Sequence, residues 1–169
     1  LRESGLNDEI TDAVMVKIEE DSSNKEFWTK SSKGVVSVVH YLLKEFLEDH
    51  GYFKYSPEGT KNYIFVKVTN NLISNTTEDE IKDFVLDYLF RMDDLSIYNH
   101  FADKTRYFKE DFLSLLSPVD VYFVEDDKDN AYLYYRNCAV KITKKDIIPI
   151  DYLDLGGYVW KDHVIDRNF

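Results

Sequence analysis

The stretch "TEDEIKDFVLDYLF" (77–90) constrains this chain more than any other, because several independent features of it ask for a helix. Thr77 stands three residues before Glu80, the spacing at which a hydroxyl and a carboxylate each satisfy a backbone amide at a helix start. Glu78, Asp79 and Glu80 place negative charge where the helix dipole is positive. Ile81, Phe84, Val85, Tyr88 and Leu89 then recur at helical spacing and share one apolar face. Such a face has to be covered, so the chain must build a core against it.

The means to do so are present. The 169 residues are 44% hydrophobic, enough for one domain, and thirteen Tyr with eleven Phe argue against disorder despite the high charge. Residues 27–169 are expected to form a single α+β domain. Residues 1–26 read as an N-terminal extension or an artificial lead-in. The opening "LRESG" and the closing "DRNF" look like cut points in a longer protein.

Elsewhere the periodicity changes along the chain. "VVSVVHYLLKEFLEDH" (35–50) reads as a helix, stopped by Gly51 in the position just past its end. "GYFKY" and "NYIFVKVTN" read as two strands around a turn at Pro57 and Gly59, and "KEDFLSLL" as a further helix before Pro118. Beyond Pro118, "VDVYFVEDDKDNAYLYYRN" reads as two strands joined by "EDDKDN", and "CAVKITKKDIIPI" as a hairpin turning at Lys144 and Lys145. A helical N-terminal part followed by antiparallel hairpins defines the α+β class, and that order is compatible with a winged-helix arrangement.

Charge and composition narrow the functions. A net charge of −11 argues against a simple high-affinity binder of duplex DNA, whose affinity comes largely from cations on phosphates. A single Cys cannot form an internal disulfide, which suits a reducing cytoplasm. Asn75-Thr76-Thr77 matches a glycosylation sequon without other signs of secretion, and no stretch has the length of a membrane span or the pattern of a signal peptide.

Catalytic patterns are missing from the sequence. It has no phosphate-binding loop of the G-x-x-x-x-G-K-[ST] type, no G-x-S-x-G elbow, and no Cys or His pair at metal-ligand spacing. His40, His50, His100 and His163 are dispersed, and Cys138 reads as a small buried hydrophobe. "EDDKDN" (125–130) lacks the Gly and the closing Glu of a calcium loop and reads as a solvated turn, as Asp93-Asp94 reads as a solvated helix end. Asp120 lies between valines, a setting used by some metal-dependent polymerases, but no second such motif with a matching His follows. The chain is therefore expected to be no enzyme and to hold no cofactor.

Positive charge gathers in three places, each interleaved with aromatics. Lys104 and Arg106 adjoin Tyr107 and Phe108; Arg136, Lys141, Lys144 and Lys145 follow a run of tyrosines; Lys161 and Arg167 lie near Trp160. Cations beside aromatic faces can neutralise the phosphates and stack the bases of a single strand. The candidate nucleic-acid-binding residues are Lys104, Arg106, Arg136, Lys141, Lys144, Lys145, Trp160 and Arg167. The competing reading is that the aromatics pack hairpins while the lysines solubilise their outer faces.

The C-terminal third adds a resemblance. Tyr134 to Asn137 form an aromatic strand ending in Arg-Asn, Val140 to Thr143 fit V-x-I-T, Ile150 to Trp160 fit I-x-Y-x-D-L-x-G-x-x-W, and Ile165 to Phe169 fit I-x-R-x-F. Together these resemble the segment preceding the ATPase core in phage and mobile-element primase–helicases with a superfamily 3 motor. "GYFKY", "YIFVKVTNNLISNTTEDEIKDFVLDYL" and "TRYFKEDFLSLL" resemble earlier blocks of the same proteins, where the second begins F-V-R-x-x-N-N-I-V. The resemblance spans roughly residues 27–169 and contains no catalytic motif.

The resemblance implies a non-catalytic accessory domain beside a hexameric motor, encoded by a phage or mobile element and working in a bacterial cytoplasm. ATP and Mg would belong to the motor downstream. The implied partners are single-stranded or forked DNA, the other domains of the parent protein, and further copies of the chain in a homo-oligomer, with no membrane. The alternative is an acidic protein–protein interaction module that never touches DNA.

Overall fold

The computed structural model describes residues 26–169 and divides the chain into two compact units, 1–46 and 47–169. All but the last residue of the expected lead-in, 1–26, lies outside the described residues.

In the first unit, β1 (Trp28–Lys30) pairs antiparallel with β2 (Val36–Val38). Their turn closes through the Ser31 amide on the Val35 carbonyl and the Gly34 amide on the Ser31 carbonyl, with Gly34 at a φ of +78°. The helix expected to start at Val35 begins instead at His40, giving α1 (His40–Asp49). The valines at 35, 36, 38 and 39 are β-branched and stiff, and the Trp28–Lys30 ladder offers their backbone a better partner than a helical turn. Phe27, Trp28, Val36, Leu43 and Phe46 are buried, and the Phe27 ring meets Trp28 at 4.8 Å and Phe46 at 4.6 Å.

The second unit begins at Leu47, within the last turn of α1. Gly51 takes a φ of +85° and its amide reaches the Glu48 carbonyl at 2.9 Å, the end predicted from the sequence. β3 (Tyr52–Tyr55), β4 (Ile64–Thr69) and β5 (Leu72–Asn75) form an antiparallel meander, and β9 (Val159–Trp160) adds parallel to β5. The β4–β5 turn uses Asn70 and Asn71, both left-handed at φ values of 48° and 61°, a geometry suited to tight hairpins.

Three helices separate β5 from the second sheet: α2 (Glu78–Phe90), α3 (Leu95–Asp103) and α4 (Glu110–Leu113). The capping box at Thr77 and Glu80 is formed, and Ile81, Val85 and Leu89 are buried as the apolar face requires. Asp94, expected to end a helix in solvent, caps the start of α3 through the Ser96 amide at 3.0 Å. "KEDFLSLL" is helical only over α4 and finishes in turns.

The segment after α4 differs most from expectation. Residues 119–124 form no strand ladder. The Lys54 amide reaches the Ser117 carbonyl and the Val119 amide reaches the Lys54 carbonyl, which ties the segment to β3. Five residues on, the Val124 amide reaches Tyr158 and the Tyr158 amide reaches Tyr122, which ties it to the approach of β9. Since β3 and β9 are the two outer strands of one sheet, the segment bonds to both edges and closes the sheet on itself. Gly157 permits the approach, because a Cβ there would lie 2.9 Å from the Tyr122 carbonyl oxygen.

β6 (Asn130–Tyr134), β7 (Ala139–Thr143) and β8 (Ile147–Ile150) make an antiparallel sheet that turns at Lys144 and Lys145 as expected. Ala139 packs in a cluster with Tyr152 and Val159, while Val140 packs with Tyr135 and Cys138. The protein is thus of the α+β class, with hairpins both before and after its helices. No helix among the described residues is long and apolar enough to cross a membrane.

Two glycines test this architecture. A Cβ at Gly51 would collide with the Val68 carbonyl oxygen, whereas one at Gly59 meets nothing within 4 Å, although both are left-handed. Gly59→Ala should cost about 1–2 kcal/mol of unfolding free energy. Gly51→Ala should cost more than about 3 kcal/mol, read from denaturant midpoints of the two variants.

Candidate nucleic-acid interface

The eight candidate residues have different surroundings. Lys104 follows α3 and, with Arg106, helps hold the His100 imidazole below its ordinary pKa, after the larger effect of burial. The Arg106 guanidinium lies 5.3 Å from the centre of the Tyr107 ring. Lys144 pairs with Asp129 at 3.2 Å, and hydrogen bonds from Asn130 and Asp129, with a smaller contribution from Lys141, hold the Asp127 carboxyl below its ordinary pKa. Lys145 is exposed, its amide bonded to the Thr143 hydroxyl. Trp160 stacks on Phe123 at 5.3 Å and meets Tyr55 edge-on at 5.9 Å, so packing occupies its ring. Arg167 lies over the Tyr135 ring at 5.6 Å.

Arg136 is different. Its guanidinium is held by Asp166 in a fork, with Nε at 3.1 Å and Nη2 at 2.6 Å from one carboxylate oxygen. So oriented, it lines a pocket of about 380 Å³ that also contains Lys67 and Lys161. Neither lysine was among the candidates. Lys67 sits in a strand of alternating character and gives no sequence signal of its own. Lys161 appeared only as a neighbour of Trp160.

The pocket follows from local chain geometry. Left-handed Asn71 places its side-chain amide on the Tyr152 carbonyl at 2.9 Å, and its own carbonyl takes the Val159 amide at 3.0 Å. One turn therefore fixes both the 152 wall and β9, which leads into Lys161. Tyr152 is buried and donates its hydroxyl to the Tyr135 carbonyl at 2.6 Å, which anchors the turn carrying Arg136 and Asn137. Asn137 in turn accepts the Phe169 amide at 2.9 Å.

The electrostatics favour an anion. Lys67 and Lys161 line the pocket beside Arg136, which Asp166 already pairs, and the one lining carboxylate, Asp151, caps the Leu153 amide at 2.9 Å. Lys67 is half-buried and held by rings rather than by an acid, at 4.8 Å from Tyr52 and 5.0 Å from Phe84, with its Nζ 3.3 Å from the Tyr52 hydroxyl. Lys161 is exposed, and among the described residues neither lysine forms an ion pair with a carboxylate. A bound oxyanion could therefore pair with both lysines through charge-assisted hydrogen bonds. Side-chain amides and hydroxyls of Asn70, Asn137, Thr69 and Ser74 add hydrogen-bonding capacity around the same space.

Compared with known proteins, the chain matches no family model, no curated protein and no solved structure.

Tyr152 supplies a pH-dependent test of the wall. Burial, followed by the nearby Cys138 and Tyr134, pushes its hydroxyl from an ordinary value of 10.0 up to about 12. The protonated form is favoured by folding, so its contribution is complete below pH 10 and fades as pH rises towards 12. Tyr152→Phe should lower stability at pH 8 by about 1 kcal/mol through the lost hydrogen bond. It should also flatten the decline between pH 10 and 12, measured by urea unfolding across that range.

Proposed function

We propose that this chain is a non-catalytic accessory domain of a phage-type primase–helicase, and that it engages a nucleic-acid strand through the pocket of Lys67, Arg136 and Lys161. The observation carrying this reading is a pair of cations that form no ion pair among the described residues, gathered beside a tethered arginine in a chain whose net charge is −11. A strand phosphate fits that arrangement, because it offers several acceptor oxygens and a charge that the site lacks.

The resemblance supports the same location. Of the positions that carry it, Lys67 (where the pattern has Arg), Asn70, Arg136, Asn137 and Tyr152 lie far apart in sequence, yet all line this one pocket. In this reading the ATP and Mg sites belong to the motor of the parent protein. The domain's partners are that motor, neighbouring copies, and single-stranded or forked DNA in a bacterial cytoplasm.

Fluorescence anisotropy with labelled single-stranded and forked DNA tests the proposal. Lys161→Ala and Arg136→Ala should each weaken binding about tenfold and reduce the salt slope by about one. Lys145→Ala, a substitution outside the pocket, should change little. No binding at low salt, or equal losses at all three positions, would sink the pocket as the contact. ATP hydrolysis by the chain alone should be undetectable.

A further inference from the structure

A second cleft, of about 900 Å³, lies where the closing segment leaves β3, and it shares no lining residue with the basic pocket. The segment is bonded to Lys54 up to Val119 and to Tyr158 from Tyr122 onward. Between these ties the backbone of Asp120 and Val121 and the amides of Tyr122 and Phe123 have no partner among the described residues. Exposure alternates over the same positions: Asp120 and Tyr122 face outward, and Val121 and Phe123 are half-buried. Backbone groups of successive residues point to opposite sides, so Val121 and Phe123 leave one side of this irregular segment open, while on the other side the Tyr122 carbonyl is bonded to Tyr158.

The surroundings indicate what that edge would take. Tyr55 and Phe123 supply an apolar floor beside Tyr122, which is 75% exposed. Every ionisable side chain of the lining other than Tyr is acidic: Glu58, Asp120, Glu125, Asp126 and Asp127. Asp126 and Asp127 are engaged by the turn that follows, accepting the Tyr132 amide and the Asp129 and Asn130 amides. Glu58, Asp120 and Glu125 are exposed and form no ion pair or hydrogen bond within the described residues. No three acidic, His or Cys side chains among the described residues converge as a metal-ligand set, so these charges are distributed rather than focused on a point. Distributed negative charge along an unpaired strand edge complements an extended chain carrying repeated positive charge.

We propose that this cleft docks an extended, Lys- or Arg-rich peptide segment of a partner protein, added as a strand against residues 120–123. Backbone bonding would supply register and the acids would select basic side chains. The surface stands whether or not the basic pocket binds nucleic acid.

The probe is a fluorescein-labelled peptide alternating Lys and Val, titrated with the protein at low and moderate salt. It should bind, and a peptide alternating Glu and Val should not. Glu58→Gln, Asp120→Asn and Glu125→Gln combined should weaken binding by about tenfold or more, since close charge pairs dominate such contacts. Methylating every backbone nitrogen of the Lys–Val peptide keeps its charge and removes all its amide donors, and should abolish binding without any change to the protein. Absence of binding at low salt overturns the proposal, as does equal affinity for the methylated peptide. Unchanged affinity in the folded triple variant, with folding checked by circular dichroism, also overturns it. Loss of peptide binding in the Lys161→Ala or Arg136→Ala variant would place the peptide in the other pocket and likewise refute the assignment.

Discussion

The closure of the β3–β4–β5–β9 sheet by residues 117–124 is the constraint on which the second unit depends. A four-stranded sheet has two unpaired edges, each a liability for aggregation and for register slippage. Here one irregular segment bonds to Lys54 at one edge and to Tyr158 at the other. The aromatic trio of Tyr55, Phe123 and Trp160 gathers at this junction, one ring from each participant. Trp160 is therefore explained by packing, and the adjoining Lys161 is carried to the pocket edge by the same short strand.

The two surfaces argued for function are by-products of that closure and of one asparagine turn. β9 enters the sheet parallel to β5 because Asn71 accepts the Val159 amide, and the Asn71 side chain also holds Tyr152. That places the 151–152 turn and Lys161 beside Lys67 on β4. The acidic cleft arises where the segment has parted from β3 and has not yet reached Tyr158. An acidic body with one locally basic pocket gives each surface a distinct ligand charge, which suits a module contacting two different partners.

Much of the scaffold was legible in the sequence, and the reasons are local. The capping box at Thr77, the glycine end at Gly51, the β6–β7–β8 hairpins and the burial of Cys138 all follow from short-range chemistry. The misread elements are those decided at a distance. "VVSVV" satisfies a helical face on paper, but a partner strand at Trp28–Lys30 decides otherwise. "VDVYFV" has the composition of a strand, yet its bonds go to two strands on opposite edges. The candidate site was legible only at Arg136. Counting cations favoured the lysine-rich turn, whereas the fold gathers Arg136 with Lys67 and Lys161, cations that lie far apart in the sequence, around one pocket. The N-N turn before β5 was the usable hint: two asparagines in sequence mark a left-handed corner, and such corners position whatever follows.

Closure of this sheet also sets an order of events during synthesis. β3, β4 and β5 can pair as soon as residue 75 is available, since only the loop 56–63 and the Asn70-Asn71 turn separate them. The ring cannot close until the chain has extended to Tyr158, more than eighty residues later, and closing so large a loop is entropically slow. Until then the nascent meander presents β3 and β5 as bare edges while the helices fold beside it. A chain that stops short of β9 would consequently leave two sheet edges bare, so the edges are covered only once residues 158–160 have been made.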